Sequence, residues 1–183
     1  MAEIVLFHSA LGLRPAVFAG AERLRAAGHV VHVPDLYAGK SADNVVDGMA
    51  INRGIGYPEL LRRAAAVVDG LAGGLVHAGL SLGASLSANL ARTRGDASAL
   101  VMLHHAPEYV PGVPAALHAA DPDEWVEADR YAAWAGKPDV ETWRYPGASH
   151  LYTDPDTQES LPGDTTAAEL TWQRVLEFLA RLG

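Results

Sequence analysis

The residues best equipped for covalent chemistry in this sequence are Ser81, Asp123 and His150. Ser81 stands in Gly79-Leu80-Ser81-Leu82-Gly83, after the apolar run Leu75–Ala78 and before small, helix-compatible residues that extend to Asn89. That order reads as strand, sharp turn, helix. A serine on such a turn has a strained backbone and a hydroxyl lifted clear of the sheet, and glycine on either side removes Cβ atoms that would strike the neighbouring strand and helix. The five-residue pattern also arises by chance, as an ordinary glycine-rich connection, so its partners must decide. An acyl-transfer serine needs a base, an acid to orient that base, and donors for the oxyanion. In a nucleophile elbow they follow in the order serine, acid, histidine, on loops after later strands.

This chain supplies that order. Asp121 and Asp123 lie in Asp121-Pro122-Asp123, and His150 ends Tyr145-Pro146-Gly147-Ala148-Ser149-His150. Asp123 is preferred as the acid on loop reach; its plainer reading is a helix cap ahead of Trp125-Val126, and Asp121 is the alternative acid. His150 by itself would be a solvated loop histidine, but its tight turn directly after a strand suits the base. Two backbone amides are expected to bind the oxyanion. One is Leu82, which follows the nucleophile and opens a helix; the other is Ala10 on the loop after the first strand, with Leu11 as its alternative.

The elements that must position these groups alternate regularly. Short strand-like runs occur at Glu3–His8, His29–Val33, Leu75–Ala78, Ala99–His104, Pro114–His118 and Val140–Tyr145. Helical patterns start at Pro15, Pro58, Leu82 and Thr165, and another leads from Asp121 to near Gly136. Residues Lys40–Tyr57 hold no sustained period and read as a loop with one helical turn at most. Buried-type strands joined by amphipathic helices specify an α/β fold, a mostly parallel six-stranded sheet with helices on both faces. Ligands of such sheets bind at the carboxyl ends of the strands, where Ser81, Asp123 and His150 all fall.

Composition narrows the function classes. At 183 residues the chain reads as one domain, with 49% hydrophobic and 20% charged residues in a globular balance. No cysteine is present, which removes disulfides, thiolate nucleophiles and Cys-based metal sites. A formal charge of −8 argues against nucleic-acid partners, which need a basic surface. No apolar run approaches the length of a membrane span, and the N-terminus lacks the marks of a signal peptide, so a cytoplasmic location is expected.

Taken together these residues resemble the dienelactone hydrolase family of the α/β-hydrolase superfamily. The resemblance rests on His8-Ser9-Ala10-Leu11-Gly12-Leu13, on Val33-Pro34-Asp35-Leu36-Tyr37-Ala38-Gly39, on the serine motif, and on Tyr145-Pro146-Gly147-Ala148-Ser149-His150-Leu151-Tyr152. It spans nearly the whole of residues 1–183 and implies a single hydrolase domain with a nucleophile, acid and histidine triad, carried onto Ser81, Asp123 and His150. It further implies no cofactor and a small-molecule ester or lactone as substrate. Two positions depart from the family pattern, in which many members have cysteine at the place of Ser81 and an acidic residue at that of Ser9. With both changed, the site looks like that of a serine esterase with little or no cap. Arg14 and Arg53 are the candidates by position to hold a substrate carboxylate, against a plain reading as solvated surface arginines.

Other candidates are weaker. Adjacent His104 and His105 point to opposite faces of a strand end, and Asp154-Pro155-Asp156 lacks the glycine and glutamate of a calcium loop, so no metal is expected. Tyr57, Tyr109, Trp125 and Tyr152 are candidates to line an acyl pocket or simply to pack. The competing functional reading is a noncatalytic binding module that keeps the fold. Oligomeric state is not specified by the sequence.

Overall fold

The structure, a computed structural model, describes residues 1–182; Gly183, the last residue of the expected domain, lies outside them. One sheet of six strands organises the chain, in the order β2-β1-β3-β4-β5-β6, with every pairing parallel. The strands are β1 (Glu3–Phe7), β2 (Val30–His32), β3 (Val76–Leu80), β4 (Ala99–Leu103), β5 (Ala115–Asp121) and β6 (Val140–Pro146). The helices are α1 (Pro15–Ala26), α2 (Val45–Ile55), α3 (Tyr57–Asp69), α4 (Leu82–Arg94), α5 (Ala128–Ala132) and α6 (Asp164–Arg181).

Alternation along each strand explains the two buried faces. Ile4 and Leu6 of β1, with Val76 and Ala78 of β3, meet α1 through Val17, Ala21 and Leu24 and α6 through Trp172, Val175 and Phe178. Val5 and Phe7, one residue out of phase, meet α3 through Leu60, Ala64 and Val68 and α4 through Leu86 and Leu90. A sheet covered on both sides must be apolar on both sides, which is why these strands read as continuous runs rather than alternating ones. Chain order reverses between β1 and β3, so the loops after those strands diverge and leave a crevice at their carboxyl ends.

Three sequence expectations need correction. Residues 45–55, expected within a loop, form α2: Asn44 caps it by accepting the Asp47 N–H at 2.9 Å. Its buried stripe is short because Gly48 lies against the loop after β1, where a Cβ would stand 2.7 Å from the Ala10 carbonyl oxygen. Strand β5 runs on to Asp121 rather than stopping at His118, since Ala119 and Ala120 are small enough to continue inside the sheet. The helix expected to reach Gly136 is only Ala128–Ala132, followed by turns. Among the described residues, no helix is long and apolar enough to cross a membrane.

Candidate active site

The turn between β3 and α4 is built by atoms that are missing. A Cβ on Gly79 would lie 2.1 Å from the Gly83 carbonyl carbon, and one on Gly83 would lie 2.2 Å from the Phe7 carbonyl oxygen. Bare glycines thus let the first turn of α4 pack directly on the ends of β3 and β1. Between them Ser81 sits at φ 50° and ψ −105°, a conformation that costs a non-glycine residue about 1–3 kcal/mol. Its N–H donates to the Leu103 carbonyl at 2.8 Å, which ties the turn to β4.

Two loops bring polar groups to that hydroxyl. Ser81 Oγ lies 3.0 Å from His150 Nε2, and His150 Nδ1 lies 2.9 Å from both carboxylate oxygens of Asp123. The tautomer that satisfies both contacts donates its Nδ1–H to Asp123 and leaves Nε2 to accept the serine O–H. Asp123 has a fully buried side chain. Its Oδ1 accepts the Trp125 N–H at 2.9 Å, and its Oδ2 accepts the Tyr131 hydroxyl at 3.4 Å. Burial, and then the Asp123 charge, push the Tyr131 pKa up, so this hydroxyl remains a donor. Asp121 instead faces solvent and Arg144, at 2.7 Å. Nor does Asp123 cap α5, whose N-cap residue is Glu127.

The loop after β1 contributes backbone donors. Ser9 Oγ accepts the Leu11 N–H at 3.1 Å, and the Ser9 carbonyl accepts the Gly12 N–H at 3.1 Å. Leu11 is thereby engaged, whereas the amides of Ala10 and Leu82 have no acceptor among the described residues. Both residues line the cavity, of about 200 Å³, that contains Ser81 and His150. Val45, Met49 and Leu151 make its apolar wall. The first two belong to α2 and were invisible in the sequence as site residues because their helix was.

Charge fixes the segment that carries His150. Asp164, buried at the start of α6, accepts the Ser149 N–H at 2.8 Å and the Ser149 hydroxyl at 2.6 Å. On the other side, Arg14 Nε donates to Asp154 at 2.6 Å, while its Nη1 donates to Asp43 at 2.6 Å and to the Ala42 carbonyl at 2.8 Å. Arg14 is only 6% exposed, so it is neither a surface arginine nor free for a substrate; it joins the loop after β1 to those before α2 and after β6. Burial disfavours its charge, but the hydrogen bonds of Asp154 and Asp43 outweigh that and raise its pKa. Arg53 is exposed on α2 and outside the cavity wall.

The remaining candidates divide between cavity and core. Trp125 lines the cavity, its ring 6.3 Å from that of His150. Tyr109 packs edge-on to Trp134, and Tyr152 is buried with its hydroxyl on Thr171 at 2.8 Å. His104 is buried, its Nε2 2.7 Å from Thr153 Oγ1, and burial pushes its pKa well down. Burial, then the charges of His150 and Arg130, push that of His105 down to about 4. Neutral imidazoles thus surround His150. Among the described residues, no three His, Asp or Glu side chains are grouped to hold a metal ion.

Comparison with known proteins places the fold. Several solved structures share the fold. A dienelactone hydrolase-like promiscuous phosphotriesterase from metagenomic libraries has a TM-score of 0.80 and 22% identity, over 100% of this chain and 87% of that one. The protein m3DLH has a TM-score of 0.79 and 19% identity, over 99% and 86% of the two chains. Alpha/beta hydrolase domain-containing protein 10 from mouse has a TM-score of 0.71 and 16% identity, over 99% and 90%. No curated protein sequence gave a significant match. At such identities the likeness is one of fold. The family model for the dienelactone hydrolase family, however, matches residues 1–183, and the chain belongs to that family.

Proposed function

We propose that the protein hydrolyses ester or lactone bonds of small molecules, with Ser81 as nucleophile, His150 as general base and acid, and Asp123 orienting the imidazole. Membership of a hydrolase family supports the reaction class. The observation that carries the residue assignment is the relay from Ser81 Oγ to His150 Nε2, at 3.0 Å, and from His150 Nδ1 to Asp123, at 2.9 Å, opening on an apolar cavity.

The chemistry follows from that geometry. His150 Nε2 takes the Ser81 proton as Oγ bonds to the substrate carbonyl carbon, and the amides of Ala10 and Leu82 hold the oxyanion that forms. The imidazolium, stabilised by Asp123, returns its proton to the leaving oxygen as the carbon–oxygen bond breaks. An acyl group remains on Ser81. Water, deprotonated by His150, attacks that acyl carbon; the acid leaves and the serine regains its proton. Serine suits this role without help from an acid at position 9, because the base is already on its hydroxyl. Ser9 instead holds the Leu11 N–H and so shapes the loop that presents Ala10.

Turnover of 4-nitrophenyl acetate by the wild type and by Ser81→Ala tests the reading. Loss of the nucleophile should lower kcat by about 10⁴-fold or more. Equal turnover in the variant would overturn the assignment, and so would a wild type that hydrolyses no ester.

A further inference from the structure

The cavity that holds Ser81 does not end at Ser85. A second one, of about 400 Å³, opens beyond it, and Ser85, His105 and Trp125 are walls of both. Its floor is one face of α4. Ser85, Ala88, Asn89 and Arg92 recur at helical spacing, and Ser81 precedes them by one turn on the same face. At the helical rise per residue this track carries about 16 Å from Ser81 to Arg92. Small side chains, Ser85 and Ala88, floor its near end. Donors, Asn89 and Arg92, floor its far end.

The chemistry of the walls selects the occupant. Arg92 is paired with Glu108 at 3.4 Å, and Arg130 and Glu127 also line the cavity. Two carboxylates beside two guanidiniums disfavour an anion. A hydrocarbon would fare no better, since it would strip water from these groups and return no hydrogen bond. At the junction His105 stays neutral, for the reasons given above, and offers one donor and one acceptor. Tyr57, whose hydroxyl donates to the Ser85 carbonyl at 3.3 Å, retains acceptor capacity beside the track. Hydroxyl groups, each both donor and acceptor, match such a mixed lining.

We propose that this second cavity is the leaving-group subsite, that it takes an uncharged, hydroxyl-rich alcohol, and that the smaller apolar cavity takes a short acyl group. The assignment rests on the ester-hydrolase reading above. The reacting carbonyl and the leaving oxygen both sit in the smaller cavity, against Ser81 and His150, and the second cavity, reached past Ser85, His105 and Trp125, receives the rest of the alcohol beyond that oxygen. The acyl side is left with the Val45, Met49 and Leu151 wall.

Sorbitol monoacetate and hexyl acetate test the proposal, because both are acetates of six-carbon alcohols and differ in their hydroxyls. Acetate release by the wild type should favour the sorbitol ester in kcat/KM by about tenfold or more, since a site built for hydrogen bonds rejects an analogue lacking them. Asn89→Leu, which removes a donor, and Ala88→Leu, which fills the floor, should each lower that ratio several-fold. Both esters are measured on one preparation, so any loss of folded protein cancels in the ratio. Hexyl acetate hydrolysed as well as the sorbitol ester by the wild type, or a ratio unmoved in both variants, would overturn the subsite. If 4-nitrophenyl acetate is turned over without polyol preference, the subsite alone falls; if no acetate is hydrolysed, the ester reading falls and takes the subsite with it.

Discussion

The elbow at Ser81 and the segment 146–164 that carries His150 position their side chains by opposite means. At the elbow, Gly79 and Gly83 let backbone meet backbone, and the sheet holds Ser81 in a conformation it would not choose. Around His150 the constraint comes from groups that are present: Asp123 on its ring, Asp164 on Ser149, and Arg14 on Asp154. Packing defines the Ser81 turn and buried polar pairs define the His150 segment. The first should respond to added volume and the second to lost charge.

Three changes probe that difference. Asp123→Asn keeps shape but removes the charge and favours the wrong histidine tautomer. It should lower kcat for 4-nitrophenyl acetate by about 10⁴-fold, or about 5 kcal/mol of barrier, with little change in denaturant midpoint. Gly83→Ala should act on folding instead, by on the order of 4 kcal/mol, because its Cβ meets the Phe7 backbone and no side chain can yield. A denaturant titration reads that loss. Arg14→Leu leaves Asp154 buried without its partner and should cost about 3 kcal/mol or more, and adding Asp154→Leu should recover most of it. A single variant as stable as the wild type would mean that the segment is not held by charge.

The smallest effect is that of acid. Burial, and then the charge of Arg174, push His118 from 6.5 down to about 3, so it is neutral in the folded state while its unfolded counterpart takes a proton near 6.5. The unfolded state therefore gains protons first as pH falls. Stability from this group is full above about pH 6.5 and declines by about 1.4 kcal/mol for each pH unit below it, until the folded pKa is reached. Buried His104 and His8, also shifted down, add in the same direction. Unfolding midpoints between pH 7.5 and pH 5 should show the decline, with a smaller slope in His118→Leu; a flat profile would contradict it.

Much of the fold was legible because it is written in local chemistry. The six apolar runs, the prolines that start α1 and α3, and the glycines about Ser81 each act within a few residues. Helix α2 escaped because Gly48, whose fit depends on the distant Ala10 carbonyl, interrupts the inward face that Val45, Met49, Ile51 and Ile55 otherwise form. The order of Ser81, Asp123 and His150 was also legible, whereas the choice between Asp121 and Asp123 was not. It depends on which carboxylate meets His150 and which meets Arg144, a contact across strands. Arg14 and Asp154 lie 140 positions apart, and Asp164 reaches back over a loop to Ser149. Buried pairs of that kind leave no pattern in a single sequence. Nor did the sequence reveal that Ser9 occupies the Leu11 amide and leaves that of Ala10 free.

Mass mapping of the protein after reaction with a fluorophosphonate tests whether Ser81 is the activated residue, because the reagent needs an activated serine and reports its position without assuming a substrate. A single phosphonylated residue, Ser81, is expected, with labelling abolished in Ser81→Ala and strongly slowed in His150→Ala. Labelling at another serine, or no labelling by a preparation that turns over an ester, would contradict it.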